Sequence, residues 1–222
     1  MELDEKPLRK PRLTPLADGP FIYENELYPE AGGIRDSGDE EIQGGDKVAL
    51  CRCGGSANKL LCDGTHAKSG FSGKRETDRG NDRRRNYVGE KITIHDNRCV
   101  CAHAAFCTYE LPEVFRKGER PWIDPDGAEP ERIIEVIEKC PSGALSYSVG
   151  GVEHRDQERE PCITVSRDGP YLVVGGIEVV GEEPRAEEVS TEHCACCRCG
   201  ASRNKPFCDG SHLRVGFKDY KV

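Results

Sequence analysis

One cysteine- and histidine-containing segment occurs twice in this chain, and this repeat constrains the fold more than any other feature. Residues 51–66 read CRCGGSANKLLCDGTH and residues 197–212 read CRCGASRNKPFCDGSH, aligned without a gap. Upstream, the run DGPF at residues 18–21 matches DGPY at residues 168–171. A unit of only about 60 residues buries a thin hydrophobic core and usually needs covalent or metal staples. The repeat therefore predicts two small, stapled units rather than one domain with a deep core.

The repeat also divides the chain into an A-B-A arrangement. We predict a first repeat at residues 8–73, a charged linker at 74–86, an inserted unit at 87–149, a second linker at 150–159 and a second repeat at 160–222. Within the insert, alternating residues predict a strand over 87–95, and apolar residues at helical spacing predict a helix over 130–139. A Cys-Pro-Ser-Gly stop then leads to a predicted strand over 144–149.

Composition limits the classes of function that this chain can have. The chain has thirteen cysteines, an odd number, and its charged start lacks the apolar stretch of a secretory signal. We therefore expect a cytoplasmic protein with metal or redox chemistry. No apolar run approaches the roughly 18 residues of a membrane span, so no membrane partner is expected. The formal net charge of -8 also argues against a nucleic-acid partner.

Each repeat offers four candidate metal ligands. Two cysteines at positions i and i+2 of an extended segment face the same side. A cysteine and a histidine at i and i+4 share one face if they lie on a helix. The candidates are Cys51, Cys53, Cys62 and His66 in the first repeat, and Cys197, Cys199, Cys208 and His212 in the second. Three cysteines and one histidine are also a common structural zinc set, so zinc is the alternative to iron.

Both segments resemble the CDGSH iron-sulfur domain family, whose motif is C-x-C followed by C-D-G-[STA]-H. The resemblance implies one [2Fe-2S] cluster in each repeat, held by three cysteines and one histidine. It further implies a monomer in which the two repeats pack as an internal pseudo-dimer, each completing the sheet of the other. The first copy departs from the family pattern at Leu60, where the second copy has Pro206. The expected fold class is α+β, mostly β.

The insert carries a separate set of cysteines. Cys101, Cys107 and Cys140 keep the outer positions of a bacterial ferredoxin pattern, but Ala104 replaces its middle cysteine. Three ligands suit a [3Fe-4S] cluster, whereas a [4Fe-4S] cluster needs a fourth ligand, for which Cys99 and His103 are candidates. Residues 87–149 resemble the divergent mono-cluster ferredoxin domain, which implies a ferredoxin-like α+β module. His103 is expected to hydrogen-bond near the cluster rather than to bind it.

The remaining cysteines and histidines lack ligand spacing. Cys194 and Cys196 correspond to Val48 and Leu50 of the first repeat, so we expect them to pack in a strand. Cys162 corresponds to Arg12 of the first repeat, so it has no ligand counterpart either. The histidines expected to be solvated are His95, His154 and His193.

The sequence contains no nucleophile elbow, phosphate-binding loop or dinucleotide-binding fingerprint. We therefore expect a one-electron carrier rather than an enzyme, working with a redox partner protein. Because a histidine ligand can be protonated, cluster transfer or redox and pH sensing is the alternative function.

Overall fold

The computed structural model describes residues 10–25, 33–42, 45, 47–76, 82–181 and 189–219. Short strands dominate this part of the chain, as expected for a mostly β protein. In the first repeat they are β1 (Arg12–Pro15), β2 (Phe21–Glu24), β3 (Ile34–Arg35), β4 (Glu41–Ile42) and β5 (Lys47–Leu50). In the insert they are β6 (Arg84–Val88), β7 (Thr93–Asn97), β8 (Leu145–Val149) and β9 (Val152–His154). In the second repeat they are β10 (Cys162–Val165), β11 (Tyr171–Val174), β12 (Glu178–Val179) and β13 (Cys194–Cys196).

The helices are few and short. The α-helices of the described residues are α1 (Phe106–Glu110), α2 (Pro130–Glu138) and α3 (Ser211–Arg214). Single turns of 3-10 helix lie at Thr65–Ala67 and Arg98–Val100. In that same part of the chain, no helix is long and apolar enough to cross a membrane.

The two repeats form two sheets that exchange strands. One sheet has the order β12-β1-β2-β5, and the other has the order β13-β11-β10-β3-β4. In the first, β12 of the second repeat pairs parallel with β1, through Leu13 and Val179. In the second, β3 of the first repeat pairs parallel with β10, through Ile34 and Ile163. The prediction that each repeat completes the sheet of the other is therefore confirmed.

A shared hydrophobic core joins the two sheets. The rings of Phe21 and Tyr171, which occupy equivalent positions in the repeats, meet edge to face at a centroid distance of 6.2 Å. The hydroxyl of Tyr171 donates to the carbonyl oxygen of Cys51 at 2.8 Å. Phe21 has no hydroxyl with which to make the reciprocal bond. The core therefore follows the pseudo-twofold symmetry of the backbone except at Tyr171, whose hydroxyl bond has no counterpart at Phe21.

The insert is a separate antiparallel sheet with the order β6-β7-β8-β9 and a covering helix. Helix α2 begins at a proline and buries Ile133, Val136 and Ile137, as its helical spacing predicts. The predicted strand over 144–149 is observed as β8. The single strand predicted over 87–95 is wrong: residues 89–92 form a turn between β6 and β7, because the amide of Gly89 donates to the carbonyl of Ile92 at 3.0 Å.

Candidate metal centres

Each repeat brings its four candidate ligands together as two close pairs. We call Cys51, Cys53, Cys62 and His66 site 1, and Cys197, Cys199, Cys208 and His212 site 2. In site 1 the sulfur atoms of Cys51 and Cys53 lie 3.8 Å apart, and Cys62 Sγ lies 3.3 Å from His66 Nδ1. The corresponding distances in site 2 are 3.9 Å and 3.5 Å. The two repeats thus present the same ligand arrangement.

A loop turn, rather than a helix, brings the second pair of each site together. Cys62 and Cys208 both precede their helical turns, which begin only at Thr65 and Ser211, so the predicted shared helix face is wrong. The glycines between each cysteine and histidine have left-handed backbone conformations, with φ of 84° and 80°. Their amides point to the cysteines: Gly64 N and Gly210 N each lie 3.4 Å from the preceding cysteine sulfur. Glycine is the residue that adopts this conformation without steric cost.

The aspartate of the motif holds this loop in shape. In the first repeat, the carboxylate of Asp63 accepts from the amide of Ala57 at 2.8 Å and from that of Thr65 at 3.0 Å. In the second repeat, Asp209 accepts from Arg203 at 2.9 Å and from Ser211 at 3.0 Å. Each aspartate thus connects the spacer between the two ligand pairs to the start of the helical turn.

Two arginines support the sites and were not identified from the sequence. Arg52 and Arg198 stand between the paired cysteines and are each 2% exposed. Arg52 donates to the carbonyl oxygens of Gly19, Leu16 and Ala17. Arg198 donates to Gly169, Ser166 and the carboxylate of Asp219. The identity of this residue in both C-R-C segments was the signal that could have revealed its role.

The two sites meet on the pseudo-twofold axis. Cys53 and Cys199 form an isolated antiparallel bridge between the repeats. A Cβ atom on Gly54 would lie 2.7 Å from the carbonyl oxygen of Cys199, and one on Gly200 would lie 2.6 Å from that of Cys53. The glycines after the second cysteines therefore permit this close approach of the two backbones.

The three cysteines predicted for the insert lie around one cavity. Cys101 follows the turn at Arg98–Val100, Cys107 lies in α1, and Cys140 lies two residues after the end of α2. All three line the cavity together with His103 and Ala104. Among the described residues Cys99 does not line this cavity, and its amide donates to the side chain of Asn97 at 3.0 Å. We call Cys101, Cys107 and Cys140 the insert site.

Burial makes these thiols poor anions unless a cation is present. It raises the pKa of Cys208 to about 12 and the pKa values of Cys101 and Cys107 to about 11 each. Burial also lowers the pKa of His212, which favours the neutral imidazole that binds metals. A bound metal would supply the positive charge that the buried thiolates lack.

The other cysteines and histidines have structural roles. Cys194 and Cys196 are buried in the core of the repeats, as predicted for strand residues. Cys162 lies in β10, where its thiol donates to the carbonyl of Gly33 at 3.4 Å. His154 is exposed as expected. The prediction that His95 and His193 are solvated is wrong: they are 7% and 5% exposed, because each is held in a polar network. His95 bonds to Asn86 and Ser148, and His193 bonds to Ser190 and Glu192.

Comparison with known proteins assigns all three units. The family described as "Iron-binding zinc finger CDGSH type" matches residues 18–67 and 168–213. The family described as "Divergent 4Fe-4S mono-cluster" matches residues 87–150, between the two CDGSH regions. The chain is similar to the uncharacterized protein YjdI of Escherichia coli strain K12 and of Escherichia coli O157:H7. Each is 40% identical over 61 residues, which are 28% of this chain and 80% of the relative.

No solved structure matches the chain. The paired cysteines and histidines of the repeats and the three-cysteine cavity of the insert fall within the matched regions. The chain therefore belongs to the iron-binding CDGSH-type proteins, with a divergent 4Fe-4S mono-cluster domain inserted between its two CDGSH regions.

Proposed function

We propose that this chain is a multi-cluster iron-sulfur protein that carries single electrons and is not itself an enzyme. Sites 1 and 2 would each hold a [2Fe-2S] cluster, and the insert site would hold a [3Fe-4S] or [4Fe-4S] cluster. When bound, such clusters take up and release one electron at a time. Because no motif in the sequence provides for a substrate reaction, a redox partner protein would supply or accept the electrons.

The pairing of the ligands is the observation that carries this proposal. A tetrahedral metal holds two sulfur ligands about 3.8 Å apart, and a sulfur and a ring nitrogen about 3.5 Å apart. The four pairs, at 3.8 and 3.3 Å in site 1 and 3.9 and 3.5 Å in site 2, match these values. Within the described ranges, no three His, Cys, Asp or Glu side chains are grouped so that they could hold one ion. Two pairs on two irons fit this arrangement better than four ligands on one zinc.

For the insert, the three cysteines of the cavity favour [3Fe-4S]. The family description names a 4Fe-4S cluster, which would need a fourth ligand. His103 lines the cavity and Cys99 does not, so His103 is the stronger candidate for that ligand. The chain itself would contribute thiolates, and a largely apolar cavity wall that limits the access of water.

The exposure of site 1 favours a second candidate function, the transfer of a cluster to another protein or the sensing of redox state or pH. Cys53, Cys62 and His66 are half-buried, and Gly64 between the last two is exposed. A site open on this side could release its cluster. Electron carriage predicts reversible reduction and reoxidation with no loss of iron, whereas transfer predicts that iron leaves the chain for an acceptor apoprotein.

We further propose that the protein works in the cytoplasm as a monomer. None of the thirteen cysteines is in a disulfide, which fits a reducing compartment. The strand exchange between the repeats already supplies, within one chain, the symmetric contact that a dimer would provide.

The test is a count of iron, zinc and acid-labile sulfide on anaerobically purified full-length protein. We expect about seven iron atoms per chain with [3Fe-4S] in the insert, or about eight with [4Fe-4S]. The same samples are cycled between reduced and oxidised forms while their visible absorption is recorded. Two or three zinc ions with almost no iron, or irreversible bleaching on reduction, would overturn the electron-carrier function.

A further inference from the structure

Among the residues that the structure describes, the insert packs against site 2 and not against site 1. Gly64 and Gly210 have the same backbone conformation, with φ of 84° and 80°. A Cβ atom built on Gly64 would meet no atom of the described residues within 4 Å, whereas one on Gly210 would lie 2.3 Å from Cδ2 of His103. The same position of the motif is thus exposed in one repeat and packed against the insert in the other.

Two further contacts fix the insert on site 2. The side-chain amide of Asn204 donates to the carbonyl oxygen of Cys99 at 3.1 Å. Asn204 is 1% exposed, whereas its equivalent in the first repeat, Asn58, is exposed. Ala102, 2% exposed, lies in one buried cluster with Ala195 and Cys208. These contacts come from the segment that carries the first cysteine of the insert site.

The docking therefore shortens the path between two ligand sets. Cys101 of the insert site is bonded to Ala102, and Ala102 packs in the cluster that contains Cys208 of site 2. The path from one thiolate to the other therefore runs through Ala102 and the small buried cluster that it shares with Ala195 and Cys208. Because the rate of electron transfer falls steeply with distance, such a path favours exchange between these two sites.

We propose that the insert site and site 2 form an electron-exchanging pair within the chain, brought together by the docking of residues 99–103 on the loop of the second repeat. An external one-electron reductant supplies the electron and an external one-electron oxidant removes it. Between the two sites the electron moves with no bond made or broken. This inference rests on the proposed electron-carrier function.

The test measures the microwave-power saturation of the electron paramagnetic resonance signals of sites 1 and 2 in the reduced, iron-loaded full chain. His66→Cys and His212→Cys assign the signals, because each changes a ligand of only one site. Cys107→Ala then removes a ligand of the insert site. We expect the signal of site 2 to saturate at several-fold lower power in this variant, while that of site 1 changes little. An equal effect on both signals, or no effect on either, would overturn the pairing.

Matched glycine variants test whether docking causes the pairing. Gly210→Ala and Gly64→Ala introduce the same backbone strain, but only the first collides with His103. Gly210→Ala should reproduce the several-fold effect on site 2, and Gly64→Ala should leave site 2 unchanged. If Gly64→Ala changes the saturation of site 1 as much as Gly210→Ala changes that of site 2, backbone strain explains the effect and the proposal is contradicted.

The same samples distinguish a failure of the proposed pairing from a failure of the proposed electron-carrier function. If Gly210→Ala loses iron from site 2, the Cys107→Ala comparison decides the pairing. If iron is present and cycles reversibly but sites 1 and 2 respond alike to loss of the insert ligand, the pairing is wrong and the carrier function stands. Irreversible reduction of the wild-type chain would overturn the carrier function itself.

Discussion

Arg198 forms an ion pair with Asp219 in which both side chains are 1% exposed. The equivalent arginine of the first repeat, Arg52, donates to three backbone carbonyl oxygens, those of Leu16, Ala17 and Gly19. Gly73 occupies the position in the first repeat that is equivalent to Asp219. A Cβ atom on Gly73 would lie 1.8 Å from the carbonyl oxygen of Ala17, so this position has no room for an aspartate side chain. The two repeats therefore stabilise the same arginine in different ways.

Replacing Asp219 by Ala should destabilise the protein strongly. The change leaves the Arg198 guanidinium buried without its counter-charge, which typically costs about 3–5 kcal/mol. The measurement is denaturant unfolding of the iron-loaded protein. Glu178→Ala is the control, because it removes the acid of an exposed pair with Arg12, worth about 0–1 kcal/mol. Equal losses in the two variants would contradict this account of Arg198.

Site 1 should lose iron to a chelator faster than site 2. Its Cys62 and His66 are half-buried, whereas Cys208 and His212 are 2% and 8% exposed. Anaerobic incubation with an excess of chelator should therefore remove the two clusters in two phases. The His66→Cys and His212→Cys variants, with their altered spectra, assign the phases to the sites. A faster loss from site 2 would contradict the burial difference.

Replacing a histidine ligand by cysteine should lower the reduction potential of its own site. A thiolate adds negative charge to the site, whereas imidazole ligands raise the potential of iron-sulfur centres, so we expect a fall on the order of 100 mV. His66→Cys should shift only site 1, and His212→Cys only site 2, in a redox titration followed by visible absorption. His154→Cys, at an exposed position of the insert, is the control for adding a thiol. An unchanged potential in either ligand variant would remove that histidine from the ligand set.

The repeat and the eight paired residues could be predicted from the sequence because the same motif occurs twice, and the resemblance to the CDGSH family implied the strand exchange. The local path of each ligand loop could not. Cys62 and His66 have helical spacing, but a left-handed glycine and the carboxylate of Asp63 bring them together in a turn. Residue spacing alone does not distinguish these geometries.

The asymmetry between the repeats was also hidden in the sequence. Asn58 and Asn204 are the same residue at the same motif position, yet only Asn204 is buried beneath the insert. Docking depends on which copy faces residues 99–103, and this is a tertiary contact that no local pattern records. The burial of His95 and His193 has the same origin, since their partners come from other strands or loops.

Asp96 should make the stability of the insert depend on pH. It lies in β7 with 1% exposure, and burial raises its pKa to about 6, partly offset by Arg98. In the unfolded chain its pKa is near 3.8, so between about pH 4 and pH 6 the folded state binds more protons than the unfolded state. The contribution of Asp96 to stability is therefore complete below about pH 4 and is lost as the pH rises through 6. At neutral pH the buried carboxylate costs on the order of 3 kcal/mol.

Asp96→Asn removes this charge, so it should stabilise the insert at pH 8 and have a smaller effect at pH 5. The measurement is denaturant unfolding of the iron-loaded protein at both values. Asp39→Asn is the control for introducing an amide, because Asp39 is an exposed carboxylate paired with Arg35. If Asp96→Asn instead lowers stability at pH 8, the carboxylate is more strongly held by its neighbours than its burial indicates, and the predicted pH dependence is wrong.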